Sequence, residues 1–485
     1  MRITPLAGLA LSALALLAAC GGGGGDGTTE ATVVGPISAF GSIVVNGLHL
    51  DDSGASISID DETGTHEQLR LGMVVQVQAR IRADGSGVAS QVRYNDCIEG
   101  PIVAVNRVQN TLTVMGETVE VDDDTVFDGV TERDMNAFSI GDVVEVSCLP
   151  TADPTRMRAS RMERKGTFTD GTTAVELTGM VSNLDLALGT CMVGTTAVDL
   201  SAIASADRPQ GLANGMTVEA TGHGYRNGIL LADRLRDRDR DRLHVADASL
   251  LEVLGFVSDF VSIADFTVDG YRVDASAAVI RNGTAADIAD GLKVEVDGRM
   301  DNGVLVASLL IIKRQTNVQV EARLQARGTA ELTLLGEPIQ VNDDTVLIDR
   351  SVSGTQPQAV TLDALAVGDR LEIMASRSAT GNLVANTVTR TAPDPLVVVK
   401  GPADAKTPDT ALTLGGFGVA TGPGTRYRDS DGELIDAAAF YALVAVPPAV
   451  PSVVRARGVV ADLAGNVVDA TRANSTTGEV ELGHE

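Results

Sequence analysis

The sequence predicts an all-β protein built as a tandem of small β-modules of about five strands each. Three observations lead there. In Phe266-Thr-Val-Asp-Gly-Tyr-Arg-Val273 the apolar residues Phe266, Val268, Tyr271 and Val273 alternate with polar ones, the period of half-buried strands. Asp269-Gly270 stands between the two halves, and Asp-Gly favours a tight hairpin turn. The chain carries 51 Gly, only 3% aromatic residues and no Trp, a composition suited to many short strands joined by turns. Leu254–Arg314 shows the whole unit: the hairpin, a helical turn at 285–290, the strand Val294-Glu-Val296, and a last strand after Asp301-Asn302-Gly303.

Ahead of the modules stands an address. Arg2 precedes an Ala- and Leu-rich run, Leu6–Ala19. The run has the length of a signal-peptide core and falls short of the roughly 20 apolar residues that a bilayer span needs. It ends in Leu17-Ala-Ala-Cys20, which resembles the bacterial lipobox. The resemblance implies a signal peptide at 1–19 and lipid on Cys20, followed by a Gly-rich tether through residue 32. Gly22, where an Asp would favour the inner membrane, implies by resemblance to Gram-negative lipoprotein sorting the outer membrane, with the chain facing the periplasm or the surface. No other segment is long and apolar enough to cross a bilayer.

The modules follow in order: 33–95, 96–165, 174–237, 250–314, 317–391 and a divergent sixth at 394–474, with a charged linker at 238–249 and a tail at 475–485. The hairpin turns are Asn46-Gly47, Met115-Gly116, Val193-Gly194, Asp269-Gly270 and Leu335-Gly336. Five modules share an apolar residue three positions before a Gly: Leu69/Gly72, Phe138/Gly141, Leu212/Gly215, Ile288/Gly291 and Leu365/Gly368. A short helical turn that buries the apolar residue and stops at a Gly of positive φ accounts for the pattern. In the sixth module Pro447, Pro448 and Pro451 stand there instead, as expected of an altered or capping unit. Short joints such as Asn95–Asp96 predict beads on a string.

Gly41-Ser-Ile-Val-Val-Asn-Gly followed by Leu-x-x-Gly-Met-Val-Val resembles the bacterial domain of unknown function 5666, which occurs in tandem in secreted lipoproteins. The resemblance covers modules one to five and departs at the sixth. It implies a fold and no activity. One strand, a hairpin, a helical turn and a second hairpin are similar to the order of an OB-type barrel, a closed five-stranded solution to the edge-strand problem; a chain of small β-sandwiches is the alternative. In an OB-type barrel the strands carrying Cys97 and Cys148 pair, so a disulfide between them is expected, since disulfides persist outside the cytoplasm. Cys191 is expected to be buried and inert.

The formal net charge of −27 opposes nucleic acid and anionic lipid, and stacking aromatics are scarce, so no nucleic-acid role is expected. The five His are scattered, and no His-Glu-x-x-His, Cys-x-x-Cys, Gly-x-Ser-x-Gly or phosphate loop occurs. No catalytic residue, cofactor or metal site is therefore assigned, and the chain reads as a non-enzymatic, lipid-anchored envelope protein acting as a spacer or scaffold for an envelope protein partner. The alternative is a small-ligand or Ca²⁺ module. Its weak metal candidates are Asp122, Asp123, Asp124, Asp343 and Asp344, with Asp60-Asp-Glu62 as a further acidic run; the plainer reading is turn chemistry. Asp233–Arg242 alternates in charge and reads as a solvated linker or a strand extension between modules three and four.

Overall fold

The computed structural model describes residues 28–82, 84–130, 135–238, 245–352, 354–378, 380–430, 432–460, 463–471 and 478–483. The signal sequence, Cys20 and the glycine tether up to residue 27 lie outside them, as do residues 239–244. Residues 28–32, assigned above to the tether, are already strand: the first strand is Thr28–Ala39.

Each module is a closed five-stranded barrel. In the fourth, Leu250–Ser262 pairs antiparallel with Asp265–Val268 and with Lys293–Asp301. Tyr271–Asp274 pairs with Asp265–Val268 and, in parallel, with Val304–Ile312, whose antiparallel pairing to Lys293–Asp301 closes the ring. Strand order 1-2-3-5-4 returning to 1 is that of an OB-type barrel. The hairpin turn requires Asp269 and Gly270 both at positive φ, 49° and 76°, which is why Asp-Gly stands there. The Leu-x-x-Gly signature is a 3₁₀ turn followed by a glycine whose N–H reaches back to the first strand. Gly72, Gly141, Gly215, Gly291 and Gly368 donate to the carbonyls of Ile37, Ile102, Val181, Val257 and Leu324 at 2.8–2.9 Å. Leu69, Phe138, Ile288 and Leu365 of the signature are buried in their barrels, whereas Leu212 of module three is half-buried.

The fourth strand carries a register shift in modules one to five, at Gln78/Ala79, Ser147/Cys148, Gly222, Asp297/Gly298 and Met374/Ala375. Such bulges bend a strand so that a small sheet can close. Cys148 occupies this position in module two and is joined to Cys97, with a Cα–Cα distance of 6.0 Å. In module six the helix Ala437–Leu443 stands in the region of the 3₁₀ turn and buries Phe440 and Tyr441 against Tyr427. The fifth strand there is split, and Glu479–Leu482, in the segment read as a tail, pairs with Val453–Gly458.

The modules are not beads on a string. The first strand of a barrel is long, and its N-terminal half has one edge that the barrel leaves unpaired, a template for another strand. Modules two and three join edge to edge through Ile98↔Leu177 and Glu99↔Glu176. Modules five and six join through Gln319↔Lys400 to Glu321↔Val398. Module one joins module four, in parallel, from Ala31↔Leu250 to Val34↔Val253. Three double barrels result, and they pack together. Phe40 of module one exchanges backbone bonds with Pro357 and Ala359 of module five, and Leu149 of module two packs on Leu254 and Phe256 of module four. The described part of the alternating Arg/Asp strip is a strand extension, within Ile229–Asp237, and not a solvated linker, while residues 239–242 of it lie outside the described residues. Arg236 and Arg238 bind Asp61 of module one at 2.8 and 2.6 Å, and Arg238 is 6% exposed and also paired with Glu219.

Candidate functional site

The Asp-Asp-Thr runs are turns first. Asp122 accepts from the Asp124 N–H at 2.9 Å, and Thr125 Oγ1 donates to the Ala159 carbonyl at 2.9 Å. Asn342, Asp344 and Thr345 repeat the arrangement in module five, with Thr345 donating to Ala385. Their remaining oxygens clamp modules together. Asp122 binds Arg158 within its own barrel at 2.8 Å, while Asp123 binds Lys400 of module six. Asp124 accepts from Lys293 of module four at 3.1 Å and from Thr316 at 2.9 Å. Burial opposes the charge on Asp124, but Lys293 and Thr316 outweigh it and hold its carboxyl below the usual range. Asp344 accepts from Asn282 at 3.2 Å. All five, Asp343 included, border a cavity of about 2150 Å³ walled by modules one, two, four, five and six.

Two buried acidic clusters are formed by other residues, and of these only Asp60, from the Asp60-Asp-Glu62 run, stood out in the sequence. The first sits where modules one, two and three meet. Glu145, Glu99 and Glu176 are cross-strand neighbours in one row over three adjacent strands. Over that row lie Asp60, from a turn of module one, and Asp96, from the joint before the disulfide. The ligand oxygens of Asp60, Asp96 and Glu176 all lie within 4.8 Å of one another, as do those of Asp96, Glu99 and Glu145. Tyr94 donates to Glu145 at 3.2 Å, and the Asp96 N–H donates to Asp60 at 3.1 Å. Lys165 binds Glu145 at 2.7 Å, and Arg238 lies 3.9 Å from Glu176. Burial pushes the Asp60 carboxyl up to about 6 and that of Glu99 up to about 7. Burial and then the neighbouring carboxylates raise Asp96 well above the ordinary carboxylate range.

The second cluster, Glu252, Glu295 and Asp297, lies at the seam of modules one and four. Glu252 is wholly buried, and its pKa is raised well above the usual range by burial and then by Asp297 and Glu295. Lys313 sits inside this cluster, 2.7 Å from Glu295. Burial works against the charge of Lys313, but Glu295 outweighs it and raises the lysine's pKa.

The signal that could have found both is a repeated acid. Glu145, Glu219, Glu295 and Glu372 hold the same place on the fourth strand of modules two to five, on the face away from the barrel core. Alternation alone assigns that face to solvent, but a neighbouring module covers it. Cys191 is buried, and burial pushes its thiol up to about 11, leaving it protonated.

The profile of the domain of unknown function DUF5666 matches residues 33–93, 99–163, 255–310 and 319–389, which is more than half of the chain. The chain belongs to the DUF5666 family. The matches fall on modules one, two, four and five. Module three lies outside the matched residues although it closes the same five-stranded ring. No curated protein matches the chain. Among the described residues no helix is long and apolar enough to cross a membrane.

Proposed function

We propose that this DUF5666 protein is a non-enzymatic scaffold of the cell envelope, held to the outer membrane by lipid on Cys20 and presenting a large acidic surface to an envelope protein partner. The observation that carries the reading is the parallel pairing of Ala31–Val34 with Leu250–Val253. It ties the module nearest the anchor to one that stands three modules further along, so the chain is a rigid block and not a flexible spacer. The polar groups around the central cavity also favour support over chemistry. Asp123, Asp124 and Asp344 are each engaged by a residue of another module, as expected of groups that hold barrels together.

Radiolabelled palmitate, fed to cells making the wild-type protein or Cys20→Ala, tests the anchor. The expected result is a labelled, membrane-associated wild type and an unlabelled, soluble variant. A wild type that stays unlabelled and soluble would overturn the anchored reading. In-cell cross-linking then tests the partner. A discrete adduct with wild type that is lost with Cys20→Ala supports the scaffold, and the absence of any adduct contradicts it.

A further inference from the structure

We propose that the acidic junction of modules one, two and three is a divalent-cation site, with Asp96 as the central ligand and Asp60, Glu99, Glu145 and Glu176 around it. Like charges directly opposite each other on neighbouring strands destabilise a sheet. Here Glu145, Glu99 and Glu176 stand in such a row, and Asp60 and Asp96 add two more acids above it. Facing the five carboxylates among the described residues are Lys165 and Arg238, with Arg234 and Arg236 also acting on Glu176, and Arg236 and Arg238 are both engaged by Asp61 as well.

A second observation points to a ligand. Asp96 is 5% exposed, lies in both triads, and its Oδ1 receives no N–H or hydroxyl hydrogen bond among the described residues, its carboxyl resting against that of Glu176. A buried oxygen of this kind costs free energy unless something occupies it. Calcium, which takes six to eight oxygens at about 2.3–2.6 Å, spans about 4.6–5.2 Å between ligands on opposite sides. Triads whose oxygens lie within 4.8 Å of one another suit that span, and the donors are all hard oxygens.

A cleft of about 460 Å³ is bordered by two of the five acids, Glu99 and Glu176, together with His223, Asp233 and Arg234. The equivalent place in the double barrel of modules five and six is neutralised from within. There Glu321 faces Glu372, but Arg370 binds Glu321 at 2.9 Å, Gln319 donates to both acids, and Val398 stands opposite Glu321 where Glu176 stands opposite Glu99. The excess of acid at Asp96 is therefore not shared by the junction of modules five and six, and at the seam of modules one and four three acids face Lys313. The cation would join three modules at the point where Cys97–Cys148 anchors the chain.

The test uses the full chain in detergent, stripped with chelator, desalted and titrated calorimetrically with CaCl₂, MgCl₂ and MnCl₂. We expect Ca²⁺ to bind and to raise the thermal midpoint of the wild type. Asp96→Asn and Glu99→Gln should each weaken binding at least tenfold. In chelator Asp96→Asn should melt no lower than wild type, because it takes one acid out of five crowded together, and that result shows the variant is folded. A wild type whose midpoint and heat do not respond to any of the three ions up to millimolar concentration would overturn the proposal and leave shared protons as the compensation. Undiminished Ca²⁺ affinity in folded Asp96→Asn would overturn it too, by placing the ion elsewhere.

Discussion

At Asp60 and Glu99 the fold holds on to protons that the unfolded chain releases. Their ordinary values are 3.8 and 4.5, and burial raises them to about 6 and about 7. A carboxyl whose pKa is raised on folding stabilises the fold fully below its unfolded value and loses that contribution as pH rises through the folded one. In chelator, stability should therefore fall between about pH 4 and pH 7 from these two groups. Asp124 and Glu120, both lowered, act in the opposite sense, and their contribution is lost only as pH drops below the ordinary carboxylate range. Thermal midpoints of wild type and Glu99→Gln across pH 4–8 check the sign: the variant should show a shallower decline, and parallel profiles would contradict the assignment. Also at this scale, Cys97–Cys148 closes a loop of 51 residues. Replacing both by Ser should destabilise by about 4 kcal/mol on the loop-closure model, readable as a lower denaturant midpoint.

Among the elements, the fourth strand decides how a barrel closes. A Cβ at Gly298 would lie 2.2 Å from the Val306 carbonyl oxygen, backbone that cannot yield without opening the bulge. A Cβ at Gly291 meets nothing within 4 Å and suffers only from its φ of 84°. Gly291→Ala should thus cost about 1–2 kcal/mol, the ordinary left-handed penalty, while Gly298→Ala should cost more, at the upper end of the roughly 1–3 kcal/mol of overpacking or beyond. Denaturant melts of the two variants would contradict this account if they fell in the reverse order. Much at this scale was legible in the sequence. Asp269-Gly270 and Asn46-Gly47 announced their hairpins because only certain residues accept positive φ. The Leu-x-x-Gly signature announced a turn because one buried side chain and one permissive backbone position recur together. Of the candidate clusters only Asp60 was legible, as part of the Asp60-Asp-Glu62 run. Glu145 and Glu295 sit in clean alternation, and alternation says which residues share a face without saying what covers that face. The Asp122–Asp124 run drew notice because its acids are adjacent in the chain, but adjacency made a turn, while Asp60, Asp96 and Glu176 meet across three modules.

For the whole molecule, the decisive fact is that strand edges, and not chain order alone, choose the partners. Modules two and three, and modules five and six, pair with their sequence neighbours, but module one passes over two modules to reach the fourth. Nothing in a single sequence ranks one exposed strand edge above another, so the reading by repeats gave six units and missed their assembly. The joints looked like those of a string because they are short. They are short because each double barrel brings its two modules into contact, or because a third module packs over the joint, as the Arg236–Asp61 and Asp124–Lys293 bridges show. Small-angle scattering of the full chain in solution tests this central claim most directly. A compact body of this length has a radius of gyration of about 23–25 Å, and six such barrels set end to end would give roughly twice that. We predict the compact value, unchanged by salt that screens the bridges, because strand pairing and apolar packing also hold the modules. An extended particle near the larger value would contradict the paired-barrel architecture and return the protein to a flexible string.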